Sequence, residues 1–207
     1  MLTRISKEKA QSLLKNFDYI IDLGCKKDAW RGSNAVLDID DYRDYYQNQD
    51  PPIRFVQGDA TSTPFNNKEF DFSIASHLIE HVHDPEKFIK ELMRISKRGY
   101  IEFPNPIFDN LIRGNETAHK WFVNFDDDSK KLIFTPKVQF INPVFTVRQA
   151  GFLNEIFPNS ISTSIYWEDS IEYEVRESIH TPKKIAIFWF ALGFCAKILR
   201  LLRLHKI

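Results

Sequence analysis

Phe70-Asp-Phe-Ser-Ile-Ala75 runs into Ser76-His-Leu-Ile-Glu-His-Val-His-Asp-Pro85 and on into Glu86-Lys-Phe-Ile-Lys-Glu-Leu-Met-Arg-Ile95. The first piece is a short, mostly apolar run and predicts a buried strand. The last piece predicts a helix: Asp84 caps it, Pro85 takes its first position and Gly99 lies beyond its end. Tyr100-Ile-Glu-Phe103, halted by Pro104, then reads as the next strand. Strand, helix and strand in this order make a parallel crossover unit. The same alternation extends toward the N-terminus, where Ile53 to Gln57, Asn34 to Asp38 and Tyr19 to Leu23 read as strands and Ile5 to Phe17 as an amphipathic helix. The fold expected is α/β, a doubly wound and mostly parallel Rossmann-like sheet covered on both faces.

Beyond Pro104 the pattern changes. Trp121 to Phe125 and Lys131 to Thr135 flank an Asp-rich turn and predict a β-hairpin inserted over about residues 106 to 135. Thr146 to Ala150 reads as a short helix stopped by Gly151, and Ser162 to Trp167 and Ile171 to Val175 as closing strands. Residues 1–180 are expected to form one domain, followed over 181–207 by a basic amphipathic helix. Lys183 and Lys184 precede the apolar run Ile185 to Ala196, after which Lys197, Arg200, Arg203 and Lys206 interleave with Ile and Leu. That run is shorter than the roughly twenty residues needed to span a bilayer. A helix with a cationic stripe beside a broad apolar face suits peripheral contact with an anionic membrane, or packing on protein.

Composition narrows the function classes. Hydrophobic residues make up 43%, charged ones 27% and aromatic ones 14% of the 207 residues, a globular balance. Lys plus Arg and Asp plus Glu number 28 each, which leaves no general field for a nucleic acid, and none is expected as partner. Cys25 and Cys195 stand far apart without metal-ligand spacing, so no disulfide framework or structural zinc is indicated. Met1 to Lys9 mixes charges into its first turns, unlike a signal peptide, and a cytoplasmic location is expected. Nothing in the pattern sets an oligomeric state.

In an open parallel sheet, ligands sit at the carboxyl ends of the strands. Those ends are polar here. The first leads into Asp22-Leu-Gly24-Cys25, where a glycine lets backbone approach a ligand; the second ends in Asp38 with Asp40 beyond; the third leads into Gly58-Asp59-Ala60; the fourth into Ser76-His77. A carboxylate about sixteen residues past the first loop suits a ribose diol, as in dinucleotide folds. Asp38 and Asp59 also suit loop caps, the commoner use of a single Asp after a strand. No Gly-x-Ser-x-Gly elbow supports a hydrolase, and no Gly-x-Gly-x-x-Gly supports a nicotinamide enzyme.

At these residues the chain resembles the class I S-adenosylmethionine-dependent methyltransferases, in particular the small bacterial-type domain with the pattern D-A-x-x-L-P-F, F-D and S-H-x-x-E-H-x-x-D-P. The corresponding segments are Asp59-Ala-Thr-Ser-Thr-Pro-Phe65, with Thr63 at the leucine position, Phe70-Asp71 and Ser76 to Pro85. The resemblance implies S-adenosyl-L-methionine as cofactor. It makes Asp22, Gly24 and Cys25 the methionine-side loop, Asp38 the ribose carboxylate, Asp59 with Ala60 the adenine contact, and Ser76 a residue on the methyl side. One position departs from it: Lys26 stands where the family loop carries its second glycine, a site of positive φ that a lysine does not readily adopt. Two readings follow, a methyltransferase with a tolerant loop or a cofactor-dead binding scaffold.

For chemistry, Ser76 to His81 is expected to open a helix, which would put His77 and His81 on one face with Glu80 beside them. His81 is read as a structural histidine, and no metal ligand set is assigned. His77, nearer the strand tip, is the first candidate for a catalytic base and His119 the second. The acceptor expected is a small molecule or glycan, with a lipid-linked glycan suited to the basic tail. His119, Trp121 and Phe122 of the insert are expected to wall it.

Overall fold

The structure, a computed structural model, describes residues 1–139, 142–157 and 160–177. The expected amphipathic helix over 181–207 and its membrane contact lie outside the described residues. Among the described residues, ten strands run in chain order as β1 Leu2–Arg4, β2 Ile20–Leu23, β3 Ala35–Asp38, β4 Arg54–Gln57, β5 Phe70–Ser76, β6 Ser96–Pro104, β7 Trp121–Asp126, β8 Lys131–Pro136, β9 Ser162–Glu168 and β10 Tyr173–Val175. The helices described among them are α1 Lys7–Leu13, α2 Arg43–Gln47, α3 Pro85–Ile95, α4 Pro106–Asp109, α5 Asn115–Ala118 and α6 Val147–Ile156. Among the described residues, no helix is long and apolar enough to cross a membrane.

Seven strands form the main sheet in the order β1-β9-β6-β5-β2-β3-β4. Strands β2 to β6 are mutually parallel, while β9 runs antiparallel to β6 and β1 antiparallel to β9. The chain winds outward from β2 through β3 to β4, then returns to lay β5 against the other side of β2. The strand order therefore switches between β2 and β5, and a crevice opens there at the carboxyl ends. Side chains alternate between two apolar layers: Ile21, Leu23, Ala75 and Ile101 face the layer of α3 residues Phe88, Ile89 and Leu92, while Ile20, Phe72, Ile74 and Tyr100 face the layer of Ala10 and Leu14. Helices on both faces are what an uninterrupted apolar strand requires.

The hairpin forms as expected, β7 antiparallel to β8. It is more than an insert, because Val123, Phe125, Leu132 and Phe134 join the α3-side core and β10 adds to β8 in parallel as a third strand. Of the two expected closing strands, only β9 enters the main sheet.

Several local expectations are corrected. The first helix is short, α1 followed by a 3-10 turn over Leu14–Asn16, with Ser6 Oγ accepting the Lys9 amide as N-cap. Residues Leu2–Arg4 are a strand instead of a charged lead-in, paired with β9. Gly99 does not end α3: the chain passes from Ile95 directly into β6, and a Cβ on Gly99 would come within 2.5 Å of Ser73 O and Trp167 Nε1. Gly151 does not stop α6, which continues to Ile156 behind a capping box of Thr146 and Gln149. Residues 77–81 form turns, not the start of a helix.

Candidate active site

A cavity of about 890 Å³ opens at the carboxyl ends of β2 to β5. Asp22, Gly24, Cys25, Asp38, Asp59, Ala60, Ser76 and His77 all line it, so strand order gathers the cofactor residues implied by the resemblance around one space. Gly24 sits at φ +68°, and its amide donates to Leu37 O at 2.8 Å, tying the loop across β3. Lys26 adopts φ +54°, the conformation its side chain disfavours. Its amide donates to Asp38 Oδ2 at 2.9 Å, and its carbonyl accepts the hydroxyl of buried Tyr46 at 2.7 Å. The loop thus keeps the shape a glycine would give it while the Lys26 side chain remains exposed.

Asp38 is buried, and its Oδ1 accepts the Asp40 amide at 3.1 Å. Asp59 Oδ1 accepts from the amide and hydroxyl of Thr61, each at 2.8 Å. Both acids cap loops and line the cavity at once, and a carboxylate has about four lone-pair sites, so capacity is left for a ligand. Asp22 is fully buried; Oδ2 accepts the Trp30 amide at 2.8 Å while Oδ1 has no partner. Burial pushes its carboxyl up to about 7, against the Trp30 hydrogen bond and the Lys7 charge. Burial likewise raises the Cys25 thiol, which keeps it an inert wall.

His77 stands at φ +52° just past β5, its amide donating to Glu102 O at 2.8 Å. Its ring lies between two buried carboxylates, Nδ1 3.3 Å from Glu80 Oε1 and Nε2 3.8 Å from Glu102 Oε1. Burial lowers its pKa, but the hydrogen bond and charge of Glu80 and the charge of Glu102 outweigh it and the net shift is upward. Glu102 also accepts Lys7 Nζ at 3.1 Å and Ser76 Oγ at 2.7 Å. Burial would raise its carboxyl, yet His77, Lys7 and Ser76 hold it below the usual range.

Beyond His77 lies a second cavity of about 310 Å³, lined by His77, Glu80, Phe108, Ile112 and His119 among others. His77 lines both cavities. His119, the second catalytic candidate, does not line the larger one: its Nδ1 is 2.6 Å from Asp109 Oδ1. Asp109 is buried and also accepts Lys137 Nζ at 2.5 Å, and although burial raises its carboxyl, His119 and Lys137 keep it low. Of the aromatic residues expected to wall the acceptor, Trp121 instead donates Nε1 to Val82 O at 3.0 Å, and Phe122 is buried; neither lines a cavity described above. Lys7, Glu102, Asp109 and Lys137 lie outside the residues that the sequence pattern marks as functional. Only Glu102 carried a signal, a lone acid inside the apolar run of a central strand.

Residues 33–101 match the family described as methyltransferase domain. Over that stretch the chain is similar to the methyltransferase-domain family. The match runs from β3 to β6 and includes Asp38, Asp59, Ser76 and His77, but not the loop from Asp22 to Lys26. Over 61 residues the chain is 38% identical to demethylmenaquinone methyltransferase of Paenarthrobacter aurescens (strain TC1), covering 28% of this chain and 24% of that protein. With the enzyme of the same name from Lactobacillus johnsonii it shares 30% identity over 138 residues, 60% of this chain and 56% of that protein. The chain thus spans about a quarter to just over half of the length of these curated relatives. The solved PH0226 protein from Pyrococcus horikoshii OT3 is 18% identical, covering 78% of this chain and 87% of that chain with a TM-score of 0.48.

Proposed function

We propose that this protein transfers a methyl group from S-adenosylmethionine to an oxygen of a small-molecule or glycan acceptor. The observation that carries this is the position of His77, the one candidate base that lines both the strand-tip cavity and the smaller cavity behind it. The larger cavity falls in the size range of small-ligand sites and presents acids at the tips of β3 and β4. Asp38 would take the ribose hydroxyls, Asp59 and Ala60 the adenine, Asp22, Gly24 and Cys25 the methionine side, and Ser76 the methyl side. The bound cofactor supplies a methyl activated on a sulfonium. Protein groups then supply alignment and a proton acceptor. His77 would take the acceptor hydroxyl proton, with Glu80 and Glu102 stabilising the imidazolium, and His119 would wall the acceptor. The names of the matching relatives support methyl transfer; oxygen as the atom is supported by the histidine between two carboxylates.

Calorimetric titration of the full chain with S-adenosylhomocysteine tests the cofactor. Micromolar binding is expected. Lys26 in the cavity wall favours the second reading, a cofactor-dead scaffold, and absence of binding at millimolar ligand would establish it. With turnover in hand, His77→Ala is expected to lower it by roughly two to four powers of ten with S-adenosylhomocysteine affinity nearly preserved. We further propose a cytoplasmic protein whose residues 183–207 meet the anionic membrane face near a lipid-linked acceptor, a reading supported by the basic and apolar pattern of that segment. Flotation with anionic vesicles, comparing the full chain with one ending near Thr181, tests it.

A further inference from the structure

We infer that Glu80, His81 and His119 form a binding site for one divalent transition-metal ion. One ligand atom from each lies within 4.8 Å of the other two. Glu80 is buried, with Oε1 turned to His77 and the buried Oε2 left without a hydrogen-bond partner. The two imidazoles meet edge to face at 4.4 Å between centroids. Each is oriented through Nδ1, His81 at 3.1 Å from Ala118 O and His119 at 2.6 Å from Asp109 Oδ1. With Nδ1–H donated to a carbonyl or a carboxylate, the neutral ring carries its lone pair on Nε2, the nitrogen a metal takes. A carboxylate behind a ligating histidine is the usual outer partner of such a site, and Asp109 is itself held by Lys137 and by Asn115 Nδ2 at 2.7 Å.

The backbone brings these distant residues together. Glu80 O accepts the amides of Lys120 and Trp121 at 2.8 and 3.3 Å, which docks the segment carrying His119 onto the turn after β5. Two imidazoles and one carboxylate suit Zn²⁺, Fe²⁺, Mn²⁺ or Co²⁺ with coordination positions to spare. His81 lines the larger cavity, and Glu80 and His119 line the smaller, so the open positions would take an acceptor oxygen where the two cavities adjoin. That last role rests on the methyl-transfer reading; the metal site does not.

The test is titration of the chelator-treated full chain with Co²⁺, without methyl donor, followed by visible absorption. Expected is one equivalent bound with a ligand-field spectrum, displaced by Zn²⁺. Glu80→Gln, which keeps shape, and His81→Ala, at a partly exposed position, should each weaken binding at least tenfold, and Asp109→Asn by roughly 10- to 100-fold. Circular dichroism reports whether each variant folds, and His81→Ala keeps the test open if Glu80→Gln does not. No stoichiometric Co²⁺ binding by the parent chain, or unchanged affinity in a folded His81→Ala variant, overturns the site. Because the readout needs no turnover, a protein that binds Co²⁺ this way but not S-adenosylhomocysteine would keep the metal site and lose the transferase.

Discussion

The crevice at the tips of β2 to β4 and the pocket beyond β6 both hold buried acids, but they satisfy them differently. At the crevice, backbone amides do it: Lys26 and Asp40 for Asp38, and Trp30 for Asp22. In the pocket, side chains from other segments do it, Lys137 and His119 for Asp109, and beside His77 Lys7 does the same for Glu102 across 95 positions. Amide-held acids are part of a loop's own shape and leave lone pairs for a ligand. Side-chain-held acids form a network whose members depend on one another.

That contrast is sharpest in stability. Removing one partner of a buried pair strands the other charge, so Lys137→Met is expected to cost about 3–5 kcal/mol. Arg4→Met, which breaks the exposed pair with Asp127, should cost under about 1 kcal/mol. Urea unfolding of both variants gives the comparison, and equal losses would break it. At the crevice the larger effect falls on binding: Asp38→Ala is expected to lower S-adenosylhomocysteine affinity by about 10²-fold or more, the loss of two charge-assisted hydrogen bonds, and to cost about 1–3 kcal/mol of stability through the Lys26 and Asp40 amides it leaves without an acceptor. Unchanged affinity in calorimetry would move the ribose contact to Asp40.

Asp22 is the crevice acid that resembles the network most, since one oxygen has no partner. Its folded carboxyl titrates at about 7, above the ordinary 3.8, so the native state holds a proton that the unfolded chain releases. Its contribution to stability is full below about 4 and declines by roughly 1.4 kcal/mol per pH unit until about 7. Asp22→Asn should abolish this slope, and parallel stability profiles of parent and variant between pH 5 and 8 would contradict the assignment. The smallest effect concerns Lys26. Lys26→Gly relieves the positive φ, and a gain under about 1 kcal/mol is expected in urea unfolding, part of the relief being offset by the freer unfolded chain. Calorimetry on the same variant sharpens the functional choice: similar affinity for S-adenosylhomocysteine means the lysine is tolerated, and binding that appears only in the variant means it blocks the site.

The sheet was legible in the residues because its signals are local. Apolar runs at Tyr19 to Leu23, Asn34 to Asp38 and Phe70 to Ala75, the Asp84-Pro85 cap and the acids that follow strands all act within a few positions of themselves. Their burial and capping need no knowledge of what lies elsewhere in the chain. The strand at Leu2–Arg4, the place of Gly99 inside β6 and the pairing of β10 with β8 carry no such signal, because each depends on a neighbour far away in sequence. The same division runs through the site. Asp38, Asp59 and His77 could be named from where strands end, whereas the meeting of His119 with Glu80 and His81 depends on the segment after α5 docking on the β5 turn. Periodicity reports which face of an element is apolar, and it is silent on which buried charges will meet once those faces close.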